Sequence, residues 1–237
     1  MDPGVDPAVS IPTDAPPLVV DIDGTLTDDR RALDPRVFPV LRAWPDDVVV
    51  ATGKAMPYPV ALCEFLAIEP VLIAENGGVV LVGREGTLRI EGDRDAADAV
   101  ARDFEAAGYD LGWGAADLVN RWRETEIALS VEAPREPLEA IAADHGLVVV
   151  DTGYAYHVKS PDVDKGTGLT AVAEELDRDP AAFVAVGDSE NDAPMFELVG
   201  EAVAVANADE RAKDAADHVT AERYADGFVT AVDYLTS

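Results

Sequence analysis

Five short apolar runs, at residues 18–21, 48–51, 71–74, 183–186 and 202–206, constrain this chain more than any other feature. None of them alternates apolar with polar residues, as a strand with one wet face would. Continuous apolar runs of this length belong to strands covered on both faces, the habit of parallel sheets. Helix-like stretches at 35–43, 56–66, 168–176, 193–198, 210–216 and 227–235 separate them. Strands alternating with helices predict an α/β fold, a doubly wound parallel sheet. Ligands of such sheets bind beyond the carboxyl ends of the strands.

Those ends carry the informative residues. The first run leads into Asp21-Ile22-Asp23-Gly24, two carboxylates one residue apart on a glycine turn. Alternation along a strand turns Asp21 and Asp23 to the same side. Their repulsion and desolvation cost several kcal/mol unless a cation intervenes, so a divalent metal and a phosphate are the expected company. The second run ends in Thr52-Gly53-Lys54, a hydroxyl and an approachable backbone N–H suited to a phosphate oxygen. The fourth ends in Gly187-Asp188-Ser189-Glu190-Asn191-Asp192, with two more carboxylates. Asp164-Lys165-Gly166-Thr167-Gly168 places a lysine where a helix begins. Positive charge is unfavourable there, so Lys165 is best explained by an anion it neutralises.

In this order the four segments resemble the motifs of the haloacid dehalogenase superfamily of phosphatases. Asp21 and Asp23 correspond to its first motif, Thr52 to the second, Lys165 to the third, and Asp188 with Asp192 to the fourth. Glu75-Asn76-Gly77-Gly78 is similar to a stretch found where the core of Cof-like members hands over to their cap. Lys54 departs from the arginine or asparagine of many relatives. The resemblance implies a superfamily-type core with a smaller α/β cap inserted after the second motif. It also implies a hydrolase acting through an aspartyl-phosphate, with Mg²⁺ as cofactor. Asp21 is then the nucleophile. Asp23 is the general acid and later the base, and has to carry a proton when substrate binds. Thr52, Gly53, Lys165 and Asn76 are the expected substrate contacts. Asp21, the main-chain carbonyl of Asp23, Asp188 and Asp192 are the expected metal ligands, an all-oxygen set suited to Mg²⁺. The branch the chain looks most like implies 2-phosphoglycolate as substrate. Cof-like or sucrose-phosphate-type sugar phosphatases and phosphomutases are alternatives in the same superfamily. A non-catalytic phosphoryl-accepting module would leave Asp23 and the long insert without a purpose.

The rhythm changes between Gly77 and about Lys159. A hairpin at 79–82 and 87–90, a helix at 95–107, a strand at 126–131, a helix at 136–143 and a hairpin at 147–150 and 154–158 make a compact module. The expected division is a flexible tail over 1–16, a core over 17–77 and 160–237, and a cap over 78–159. Arg121, Arg123 and His157 are candidate cap contacts for a small acidic substrate. Cys63, the one cysteine, falls on the apolar face of a helix and reads as core. It fits a reducing, cytoplasmic setting. No apolar run is long enough to span a bilayer, and no secretory pattern opens the chain.

Charge narrows the partners. Lys and Arg number 18 against 47 Asp and Glu, a formal net charge of −29. Such a polyanion is repelled by nucleic acid and by anionic lipid. The expected partner is a small phosphorylated metabolite, not nucleic acid or a membrane, and homodimerisation is compatible with the sequence. Carboxylates spread along the whole chain, with only four lysines, resemble the composition of proteins that work in concentrated salt.

Overall fold

Strands form where the apolar runs predict them. The structure, a computed structural model, describes residues 11–236. The first part of the chain supplies β1 (Leu18–Asp21), α1 (Val37–Ala43), β2 (Val48–Ala51), α2 (Pro57–Leu66) and β3 (Val71–Ala74). Then come β4 (Val79–Val82), β5 (Thr87–Ile90), α3 (Arg94–Ala106), β6 (Ile127–Ser130), α4 (Arg135–Asp144), β7 (Val148–Asp151) and β8 (Ala155–Lys159). The chain closes with α5 (Lys165–Glu175), β9 (Val184–Gly187), α6 (Ala193–Phe196), β10 (Glu201–Ala204), α7 (Glu210–Ala215), β11 (His218–Val219) and α8 (Tyr224–Leu235).

Eight strands form one sheet in the order β11-β10-β9-β1-β2-β3-β4-β5. The six from β11 to β3 run parallel. Side chains alternate between two helical layers, as strand geometry requires. Leu18, Val20, Val48, Val50 and Leu72 pack on α1, α2 and α8 through Val40, Leu41, Leu62, Leu66 and Phe228. Val19, Val49, Ile73 and Ala185 pack on α5, α6 and α7 through Leu169, Val172, Met195 and Ala212. Burying such side chains contributes about 1.5–3 kcal/mol each, which makes a fully apolar four-residue strand worth its loss of freedom. Cys63 lies in the first layer, free and buried, and burial pushes its thiol up to about 11.

Two expectations change. The hairpin β4–β5, assigned to the insert, extends the central sheet, because β4 pairs antiparallel with β3 from Val71↔Val82 to Ala74↔Val79. Val79 and Val80 are buried there, and Arg89 of β5 ties the edge to Glu174 and Glu175 of α5. The second sheet is therefore β6-β8-β7 alone, antiparallel, with α3 and α4 packed on it through Val100, Phe104, Leu138 and Ala142. The expected tail over 1–16 packs locally in its described part. Ala15 is buried, and the Trp44 indole N–H donates to the Pro16 carbonyl at 2.8 Å. Residues 1–10 lie outside the described residues. Strand β11 has no sequence signature; it is two residues held by pairing with Val203 and Ala204.

Candidate active site

Register places the first, second and fourth motifs side by side. Asp21 is level with Ala51 across β1–β2, so Thr52 follows one step beyond. Val20 is level with Val186 across β1–β9, so Gly187 and Asp188 follow on the other flank. Gly24 has φ +88, and a Cβ there would stand 2.0 Å from Asp188 Oδ2. The glycine of Asp-x-Asp-Gly thus lets the first and fourth motifs touch. The Asn207 amide closes this corner, donating to the Gly24 carbonyl at 3.0 Å and to Asp188 Oδ2 at 3.3 Å. Nothing in the sequence singled out Asn207.

Lys165 is the first helical residue of α5, capped by a reciprocal Asp164–Thr167 box. Its side chain has no exposed surface. The ammonium donates to Asp21 Oδ1 at 2.7 Å and to Asp192 Oδ1 at 2.5 Å. The other Asp192 oxygen accepts from the backbone N–H groups of Asp188 at 2.9 Å and Ser189 at 3.0 Å. Asp192 therefore both shapes the fourth-motif loop and fixes Lys165. Burial pushes the Asp21 carboxyl up to about 7 despite Lys165, and Asp192 and Asp23 add to that push. Burial, then Asp21 and Asp192, raise Asp188 well above the ordinary carboxylate range. Burial acts to lower Lys165, but Asp192 and Asp21 outweigh it and hold the ammonium above its usual value.

One oxygen each from Asp21, Asp188 and Asp192 lies within 4.8 Å of the others. Three hard oxygen donors with one lysine among them leave excess negative charge, which suits a divalent, oxygen-seeking cation. Asp188 is the least committed of the three: its partners are Thr25 Oγ1 at 3.4 Å and the Asn207 amide. The Asp23 side chain stands apart, paired with Lys54 Nζ at 3.0 Å.

A small cavity of about 50 Å³ lies over Asp21 and Asp23, walled by Gly53, Lys54, Tyr154 and His157. Thr52 and Lys165 do not line it. Thr52 is buried beside it and its hydroxyl accepts from the Lys54 N–H at 3.1 Å. Asn76 is buried under the floor of the cleft. Its amide nitrogen donates to Glu126 at 3.0 Å, and its carbonyl accepts from Asn191 at 2.8 Å. It sits at a joint between the two sheets and lines, with Lys165 and Asn191, a second cavity of about 160 Å³ that shares Asn191 with the first.

That joint is built by the Glu75-Asn76-Gly77 turn. Glu75 and Asn76 both occupy left-handed backbone, at φ 51 and 54. Such strain persists where the surroundings fix it. The Glu75 carboxylate accepts from the Glu124 and Thr125 N–H groups and the Thr125 hydroxyl, at 2.8–3.0 Å. Burial and then Glu126 raise Glu75 above its usual range. Glu126, fully buried, accepts from Arg123 and lies 2.7 Å from His157 Nδ1. Burial works to raise Glu126, but His157 and Arg123 prevail and hold it below its usual range. Arg123 also donates to the Gly53 carbonyl at 2.9 Å. Arg123 and His157 line the cavity as expected, yet both are already partnered by Glu126. Arg121 is exposed and does not line it. Glu126 read in sequence only as the start of a strand; a carboxylate opening an apolar run was the available signal.

The eight-stranded sheet with this acidic cluster at its strand ends defines a class, and the comparisons agree. The chain belongs to the haloacid dehalogenase-like hydrolases, whose family model matches residues 130–232. More particularly, a protein of Haloarcula marismortui named phosphoglycolate phosphatase is 64% identical over 93% of this chain and 97% of its own. One of the same name from Archaeoglobus fulgidus is 37% identical over 92% and 96%. Among solved structures, one from Thermoplasma acidophilum superposes with TM-score 0.80 at 23% identity, covering 93% of this chain and 97% of that one. At that identity it bears on the fold alone. No described helix is long and apolar enough to cross a membrane.

Proposed function

We propose that this hydrolase removes the phosphoryl group from 2-phosphoglycolate, releasing glycolate and phosphate. The observation that carries the chemistry is the Asp21–Lys165–Asp192 bridge at the end of β1, with Asp23 at the cavity wall. The substrate is supported by the names of the relatives and by the smallness of the cavity. In this reading an Asp21 oxygen attacks phosphorus as the bond to the leaving alcohol breaks. Asp23 gives its proton to the departing oxygen. Water then attacks the aspartyl-phosphate, Asp23 takes a proton from it, and the phosphorus–Asp21 bond breaks. Lys165 holds Asp21 in line and offsets the surrounding carboxylates. Thr52 shapes the loop that turns Gly53 towards the phosphoryl group, and the Asn76–Asn191 contact fixes the fourth-motif loop. Asp21, Asp188 and Asp192, with the Asp23 carbonyl, would hold Mg²⁺. When bound it supplies positive charge for the phosphoryl oxygens. The acidity suits a protein that works in molar salt, as the halobacterial relatives suggest.

The test is a panel of phosphomonoesters in molar KCl with Mg²⁺. Phosphoglycolate should give the highest kcat/KM. A neutral hexose phosphate ranking first would overturn the reading in favour of a sugar phosphatase.

A further inference from the structure

The basic side chains that hold the site together are already committed. Lys165 is taken by Asp21 and Asp192, and Arg123 and His157 by Glu126. Lys54 is less buried. Its side chain is about a quarter exposed, it lines the cavity, and it pairs at 3.0 Å with Asp23, which lines the same cavity. The ammonium stands 5.3 Å from the centre of the Tyr154 ring, which comes from the β7–β8 turn and also lines the cavity. The same ring carries the Arg31 guanidinium at 4.0 Å. Arg31 sits on the loop after Asp28 in left-handed backbone, φ 65. Among the described residues it has no carboxylate within ion-pair distance, although the chain holds 47 of them against 18 basic residues. Two cations share one aromatic ring at the mouth of the cleft and Asp23 is paired with only one of them, so positive charge is left over there.

We propose that Lys54 is a specificity-determining residue of this site. It receives an anionic group on the leaving alcohol, against the wall formed by Tyr154 and with Arg31 adding to the field. The substrate class is then the phosphomonoester of a short hydroxy acid. The inference rests on the phosphatase reading above and deepens it by naming the group that selects the substrate.

The experiment compares kcat/KM for 2-phosphoglycolate with that for 2-hydroxyethyl phosphate. The two have the same chain length, with a hydroxymethyl in place of the carboxylate. Lys54→Met should lower the ratio about tenfold, mainly through KM for phosphoglycolate, since a charge-assisted hydrogen bond is lost for one substrate only. Lys54→Arg keeps the charge and should retain most of the ratio. Arg31→Gln, on an exposed loop, should lower the ratio by a smaller factor, on the order of threefold, and melting temperatures verify folding. If Lys54→Met slows both substrates in proportion, Lys54 merely holds Asp23 and the proposal falls. If the unmutated enzyme shows no preference for the anionic ester, the phosphoglycolate reading itself falls. A preference that survives both substitutions overturns the Lys54 assignment alone.

Discussion

Replacing Lys165 with methionine keeps the volume and removes the charge. The ammonium it deletes is fully buried and makes two short bonds, 2.7 Å to Asp21 and 2.5 Å to Asp192. What remains is a buried cluster of three carboxylates, Asp21, Asp188 and Asp192, with no cation among them. Breaking a buried pair in this way costs about 3–5 kcal/mol, because the partner is left uncompensated. Against a total stability of about 5–15 kcal/mol that is a large fraction. The cost should depend on pH with a definite sign. The folded Asp21 carboxyl is raised from 3.8 to about 7, so between those values the folded state binds more protons than the unfolded one. Stability without metal therefore falls as pH rises through that window, and removing Lys165 should steepen the fall. Urea denaturation in molar KCl without divalent ions, at pH 6 and pH 8, measures this. The variant's deficit should be larger at pH 8, and millimolar Mg²⁺ should recover part of it. Equal midpoints for the two proteins at pH 8 would refute the view that Lys165 compensates the cluster.

Glu126→Gln leaves Arg123 without its buried counter-charge and weakens the contact to His157, and should cost about 3 kcal/mol at neutral pH. The Glu126 carboxyl is held below its usual range, so its contribution is complete above the unfolded value of 4.5 and is lost as pH falls through the folded one. Parallel urea titrations from pH 7 to pH 3 should show the two proteins converging in acid. Metal binding must displace protons from Asp21 and Asp188, so Mg²⁺ should raise the melting temperature more at pH 8 than at pH 6. Equal shifts would exclude these two carboxylates as ligands. The net charge of −29 is screened over about 10 Å at 0.1 M salt and about 3 Å at 1 M. Melting temperature should accordingly climb from dilute buffer to molar KCl, and a flat profile would contradict adaptation to salt.

The parallel sheet was legible because its strands are apolar on both faces and its loops carry their chemistry at the carboxyl ends. Asp21, Asp188, Asp192 and Lys165, from three distant segments, do meet in one cluster. The hairpin 79–90 was misplaced because pairing partners leave no local trace. Its apolar first strand and alternating second would suit either sheet, and only the register with β3 decides. Asn76, a candidate substrate contact, lies at a joint and lines the second cavity, not the one over Asp21 and Asp23; a single amide looks the same in either place. That Arg123 and His157, candidate cap contacts, are held by Glu126 is hidden in the sequence, because Glu126 stands at the head of an apolar strand where burial conceals its role. The short segment 11–16 looked loose because proline-rich composition does not reveal that Trp44 binds its backbone.

In the proposed reaction Asp21 carries the phosphoryl group in the course of turnover. An acyl phosphate is reduced by borohydride, which converts the aspartate beneath it to homoserine. Enzyme quenched during turnover of phosphoglycolate, reduced and digested, should give a peptide with homoserine at position 21 and unmodified aspartate at position 23. The conversion should vanish without substrate. Homoserine at position 23, or an unreduced Asp21 in enzyme known to be turning over, would contradict the account.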